Sequence, residues 1–151
     1  MAAPKLEIRP LRLDERADWE PLWKGYQAFY KVVISDATTA VTWARLHDPA
    51  ELMHVLGAYV DGRLRGIVHY LFHRSTWTPG NYCYLRDLYV AESALGLGSG
   101  RALIEAMYDK AETAGASRAH WLTQTSNAQA RIPYDQLADD TGSMQKGSAH
   151  V

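Results

Sequence analysis

The chain of 151 residues is 47% hydrophobic and 22% charged, and its 16 Lys and Arg against 17 Asp and Glu leave a net charge of −1. That length and apolar fraction suit one compact domain. With no excess of cations to neutralise phosphates, and no run approaching the roughly 18–20 apolar residues that span a bilayer, neither a nucleic acid nor a membrane is expected as a partner.

The opening Met1-Ala2-Ala3-Pro4-Lys5 lacks the apolar core of a secretory signal. Cys83, the single cysteine, cannot make an internal disulfide and fits a reducing compartment. The expectation is one cytoplasmic domain over residues 1–145, with 146–151 a mobile tail.

In chain order, Leu6-Glu7-Ile8-Arg9-Pro10 alternates like a short strand that proline ends. Asp14, Glu15 and Glu20 supply an acidic first turn for a helix reaching about Phe29, with Trp19, Leu22, Trp23, Tyr26 and Tyr30 recurring on one face. A second helix follows Ser35 or Asp36, carries Val41, Ala44 and Arg45, and stops near Asp48-Pro49. Two strands, Met53 to Val60 and Leu64 to Phe72, meet at Asp61-Gly62, a hairpin pair that tolerates positive φ at both positions. Ser75 to Asn81 reads as a loop into a strand from Tyr82 to Val90. The strongest helical pattern runs from Gly98 to Ala114, with Leu103, Ile104, Met107 and Ala111 as its buried stripe and Gly115 placed for a left-handed cap. Ala119 to Thr123 is a short strand, and Asn127 caps a last helix over Ala128 to Leu137. The order β-α-α-β-β-β-α-β-α defines an α/β fold with a mixed sheet and helices on both faces. The polar tail from Thr141 to Ser148 holds at most a weak C-terminal strand.

The stretch from Asp87 to Leu103 is the most informative. A strand runs into a loop whose glycines alternate at 96, 98 and 100, and the loop opens the long helix. Glycines let the backbone approach a ligand, and the helix start offers unsatisfied N–H groups and partial positive charge, so a pyrophosphate suits the place. The same glycines also suit an ordinary strand-to-helix turn. A Walker loop is excluded because Gly100 is followed by Arg101-Ala102. A dinucleotide fold is excluded because the next strand ends Leu122-Thr123-Gln124-Thr125, with no acid for a ribose.

At Leu88-Tyr89-Val90, at the loop from Gly96 to Arg101, and at Asn127-Ala128-Gln129-Ala130-Arg131 with Tyr134 after it, the sequence resembles the GNAT family of N-acetyltransferases. It looks closest to small bacterial and fungal members related to the yeast histone and polyamine acetyltransferases. The resemblance covers most of the chain and includes the order of elements. It implies the acyl-CoA N-acyltransferase fold and acetyl-CoA as co-substrate, with no metal. The acceptor would be a small-molecule primary amine or a protein lysine, attacking directly in a ternary complex, and a homodimer is the expected assembly. The backbone of Leu88, Tyr89 and Val90 would pair with the pantetheine arm, and the amides of Leu97, Gly98, Ser99, Gly100 and Arg101 would cradle the pyrophosphate. Asn127 would hydrogen-bond the arm, and Tyr134 would serve as the acid beside the thioester sulfur.

Four departures bear on activity. Family members often carry a glutamate two residues before the position of Leu88 as base, and here Arg86 stands there, unable to accept a proton. Asp87 is the neighbouring candidate, although successive strand residues face opposite ways, so a bulge must redirect it. Glu92 and a water relay are the other options. Leu95 replaces the Arg or Gln with which the family loop begins. Pro133 interrupts the helix just before Tyr134. The tail replaces the usual apolar final strand, leaving a neighbouring strand less protected. Arg86 and Pro133 support a rival reading, an acyl-CoA-binding module with weak catalysis.

Tyr26, Tyr30 and Trp77 are candidates to line a slot for the acceptor amine by cation–π contact. His69 and His73 share one strand face, where two histidines without a third ligand read as strand-surface residues rather than a metal site. Cys83, between Tyr82 and Tyr84, reads as a buried thiol.

Overall fold

The computed structural model describes residues 3–121. Among these, five strands form one sheet in the order β1-β2-β3-β4-β5. Strands β1 (Leu6–Pro10), β2 (Met53–Val60), β3 (Arg63–His73) and β4 (Tyr82–Val90) are antiparallel neighbours, and β5 (Arg118–Trp121) lies parallel to β4. Helices α1 (Arg16–Phe29) and α2 (Asp36–Arg45) cover one face, and α3 (Ser99–Thr113) covers the other. The expected last helix, the residues beyond Trp121 of the expected fifth strand, Pro133 and the tail lie outside the described residues.

The turn chemistry of the sequence is realised. Asp61 and Gly62 join β2 to β3 with φ of 51° and 83°, the doubly left-handed turn that an Asp-Gly pair favours. Ser35 caps α2 by accepting the Thr38 N–H at 3.1 Å. Gly115 follows α3 with φ of 78°, and the Ala116 N–H reaches back to the Ala111 carbonyl while the Gly115 N–H reaches Glu112. That pair of bonds is a Schellman closure.

The start of α1 differs from its expectation. Leu13–Glu15 form a separate 3-10 turn, and α1 begins only at Arg16. Glu15 is responsible, because its carboxylate turns inward to other partners. It accepts the Arg12 N–H at 2.8 Å, a two-pronged contact from Arg9 at 2.9 and 3.1 Å, and the Tyr59 hydroxyl at 2.9 Å. One buried carboxylate thereby ties β1, the turn before α1 and β2 together. On α2, Val41 is exposed, and Thr39, Trp43 and the following Leu46 face the sheet.

Two cores sandwich the sheet. On the α3 side Leu103, Ile104, Met107 and Ala111 pack against Leu56, Val68, Leu85 and Leu88. On the other side Trp19, Leu22, Trp23 and Trp43 pack against Val55, Tyr59, Leu64 and Ile67. Each strand therefore sends alternate residues into different cores, except where the alternation breaks. It breaks twice, at Arg65 in β3 and at Arg86 in β4.

Candidate active site

Along β4, Cys83 and Leu85 enter the α3-side core, and so do Leu88 and Val90. The odd phase becomes even because the register slips between the β3 neighbours His69 and Tyr70, which oppose Asp87 and Leu85. Arg86 is thus an extra residue, and the strand bulges there. The bulge turns Asp87 to the α1 side, the redirection that its candidacy required.

Asp87 is 8% exposed and sits in a buried polar chain. His69 Nδ1 lies 3.0 Å from Asp87 Oδ2, and Trp19 Nε1 lies 3.0 Å from His69 Nε2. An indole N–H can only donate, so His69 Nε2 accepts and its Nδ1–H donates to the carboxylate. The tautomer is set by these two partners. The Tyr26 phenol faces the same carboxylate and feels its charge. Burial pushes the Asp87 carboxyl upward, but the His69 hydrogen bond, the Tyr26 hydroxyl and the nearby Arg86 charge outweigh it and hold it below its usual range. Burial and the same carboxylate push the Tyr26 hydroxyl well above its ordinary value.

The structure corrects the expectation for His69, which is 4% exposed and no surface residue. His73, on the same face, pairs with His120 of β5 at 2.9 Å between their Nε2 atoms. His73 Nδ1 faces the Arg74 carbonyl at 2.9 Å and donates to it. Among the described residues no group of three or more His, Cys, Asp or Glu is placed to hold a metal ion. Cys83 is fully buried, and burial pushes its thiol up to about 12, as for an inert packed thiol.

Of the three acceptor-slot candidates, Tyr26 and Tyr30 come together with ring centroids 4.7 Å apart, and Trp23 stacks on Tyr26 at 5.0 Å. Trp77 stands apart in the β3–β4 loop, 83% exposed. Tyr89 leans its ring on α1, where Gly25 leaves the room: a Cβ there would lie 2.7–2.9 Å from Tyr89 ring and hydroxyl atoms.

Beyond β4, a short turn (Glu92–Ala94) leads through Leu95, Gly96 and Leu97 to Gly98, the residue before α3. Gly96 and Gly98 have φ of 86° and 80°, and a Cβ on either would meet nothing within 4 Å. The glycines are required by backbone conformation, and the space before them is open. Gly98 offers no side chain to cap α3, so the first helical N–H groups have neither an intrahelical acceptor nor a cap from that residue. The Ser99 hydroxyl, buried at the first helical position, has no hydrogen-bond partner among the described residues. An open cradle, uncapped amides and an orphaned hydroxyl fit a pyrophosphate. Leu88, Tyr89 and Val90 pair with β3 on one edge, and no described strand pairs with them on the other. That edge has backbone groups for an extended ligand arm. Asn127 and Tyr134 lie outside the described residues.

A bulged strand feeding a glycine turn and a long helix, within this sheet order, defines an acyl-transfer fold. The match to the acetyltransferase (GNAT) family model over residues 19–137 shows that the chain belongs to that family. It is 33% identical over 143 residues to a D-amino-acid N-acetyltransferase of Saccharomyces cerevisiae, covering 93% of this chain and 89% of the relative. Among solved structures, the ribosomal-protein-alanine N-acetyltransferase of Brucella melitensis superposes with a TM-score of 0.73 at 25% identity, over 97% of this chain and 98% of that one. An aminoglycoside N-acetyltransferase solved with CoA reaches a TM-score of 0.79 at 14% identity, over 99% and 94% of the two chains, a likeness of fold. The chain is an N-acetyltransferase. Of the two departures behind the weakly catalytic reading, Arg86 stands at the bulge and Pro133 lies outside the described residues.

Proposed function

We propose that the chain acetylates the primary amine of a small molecule, the amine attacking directly in a ternary complex with acetyl-CoA. When bound, acetyl-CoA supplies an activated acyl group and a thiol leaving group. The observation that carries the reading is the continuous unit from bulge to helix, Arg86 to Arg101. It sets the glycine turn, a strand edge that no described strand pairs with and a hydrogen-bonded carboxylate in sequence along one path.

The Ser99 hydroxyl and the amides of Leu97, Gly98, Ser99, Gly100 and Arg101 would hold the pyrophosphate. The free edge of Leu88, Tyr89 and Val90 would hold the arm and direct its acyl end toward the bulge. Asp87, ionised and oriented by His69 and Tyr26, would face the incoming amine and favour its approach as a cation. Asn127 and Tyr134 complete the reading as arm contact and leaving-group acid. Small amines are favoured over protein lysine because the yeast relative is named for amino acids. A cytoplasmic setting, supported by the unpaired Cys83, and a homodimer belong to the same proposal.

Calorimetric titration of acetyl-CoA into the protein tests it, with Gly98→Glu as control. The glutamate would put a negative charge into the open cradle, so binding should be lost in the variant alone. Mass-spectrometric screening of amines then reads acetyl transfer, and sedimentation reads the assembly. Failure of the wild-type protein to bind acetyl-CoA would sink the reading.

A further inference from the structure

We propose that Arg86 selects the acceptor by receiving a carboxylate on the amine substrate, which makes the preferred acceptors amino acids and disfavours polyamines. The inference rests on the acetyl-transfer reading above.

The β4 bulge does more than redirect Asp87. It places two successive residues on the same side of the sheet, since Arg86 Nη1 lies 3.6 Å from Asp87 Oδ1. The guanidinium also acts on Tyr26 through its charge. Yet Arg86 is 59% exposed, and among the described residues no hydrogen bond engages it. The hydrogen bond to Asp87 comes from His69, and Arg86 adds only its charge to that carboxylate. A guanidinium that meets a buried carboxylate through one nitrogen at 3.6 Å, with most of its surface exposed, keeps forked donors for another planar anion.

The position gives the anion its identity. An arm laid along Val90, Tyr89 and Leu88 from the glycine turn ends at the bulge, so a group bound by Arg86 lies beside the attacking amine. An α-amino acid carries a carboxylate two bonds from its nitrogen, which matches neighbouring residues of opposite charge. Asp87 faces the amine, Arg86 the carboxylate, and the Tyr26–Tyr30 rings offer a surface to the side chain. A polyamine would instead bring further cations against the guanidinium, an unfavourable approach.

The test compares alanine (both enantiomers), alaninamide, ethylamine and spermidine as acceptors, with kcat/KM expressed per unprotonated amine. Wild-type protein should favour one alanine enantiomer over alaninamide by about tenfold or more, the worth of a charge-assisted bidentate contact. Spermidine should be the poorest. Arg86→Gln should collapse the alanine-to-alaninamide ratio, chiefly by raising KM for alanine, and Arg86→Lys should restore only part of it. Acetyl-CoA titration shows whether each variant is folded. An unchanged ratio in Arg86→Gln, or equal use of alanine and alaninamide by the wild type, would overturn the role of Arg86 and leave acetyl transfer standing. Absence of transfer to every amine would overturn both.

Discussion

The acceptor ammonium must lose a proton before it attacks, and at the residue scale Asp87 is a poor destination for it. The carboxylate is held below its usual range by His69, Tyr26 and Arg86, so it is already ionised at neutral pH and too weak a base to capture an ammonium proton. Its proposed contribution is then to orient and attract. Asp87→Asn should lower kcat/KM roughly tenfold, about 1.4 kcal/mol of transition-state stabilisation, and leave the pH at which activity rises where the amine sets it. Rate profiles from pH 6 to 10 check this, and a displacement of the variant's profile by more than a unit would show that Asp87 itself carries the proton. The asparagine also puts an NH2 group where the carboxylate had a second acceptor oxygen, and if that group meets the His69 Nδ1–H the lost bond costs about 1–3 kcal/mol, readable as a lower melting temperature.

At the scale of elements, the two glycine-bearing segments that frame β4 work by opposite physics. Gly98 has an open surround and a left-handed φ of 80°, so Gly98→Ala meets no atom and incurs only backbone strain of about 1 kcal/mol. Gly25 lies within α1 with ordinary helical backbone, and an added methyl collides with the Tyr89 ring. Gly25→Ala should cost about 1–3 kcal/mol through that overpacking, despite alanine's better helix propensity. It should also weaken acetyl-CoA binding, because the displaced Tyr89 belongs to the strand edge proposed for the arm. Thermal melts with calorimetry separate the cases: a stable Gly25→Ala that binds normally would refute the close approach. The same contrast explains what was legible in the sequence. Asp61-Gly62, Ser35 and Gly115 act through local backbone geometry, so their residue types announced a hairpin, a cap and a helix end. Gly25 answers to a ring from a strand far along the chain, and nothing local marks it. The bulge did leave a trace, since apolar positions shift from 83 and 85 to 88 and 90. The burial of His69 has no such local trace, because its partners Trp19 and Asp87 come from α1 and the bulged strand. Arg86 was visible only as a departure from a pattern, because its exposure and its place beside Asp87 exist only after the strand bulges.

Across the whole molecule, two carboxylates fasten the α1 layer to the sheet. Glu15 holds the turn entering α1 to β1 and β2, and Asp87 holds Trp19 through His69. The hydrogen bonds from Arg9 lower the Glu15 carboxyl from 4.5 to about 2, against the opposing effect of burial. Asp87 is lowered from 3.8, its hydrogen bonds outweighing burial. A carboxyl depressed in the folded state stabilises fully above its unfolded value and loses that contribution as pH falls toward the folded one. For Glu15 the loss therefore runs from about pH 4.5 down to about 2, and Asp87 adds to it below about 3.8. Acid should release the α1 face before the α3 face, whose core of Leu103, Ile104, Met107 and Ala111 with Leu85 and Leu88 is apolar. Tryptophan fluorescence reports the first event, because Trp19, Trp23 and Trp43 all lie in the α1-side core. Hydrogen exchange of α3 amides reports the second. Glu15→Gln should lose on the order of 2–3 kcal/mol at pH 7, and its deficit should shrink as the wild-type carboxyl protonates, closing near pH 2. A deficit constant from pH 7 to pH 2 would mean that packing around Glu15, and not its charge, fastens the layer; simultaneous loss of both faces would mean that the sheet yields as one unit.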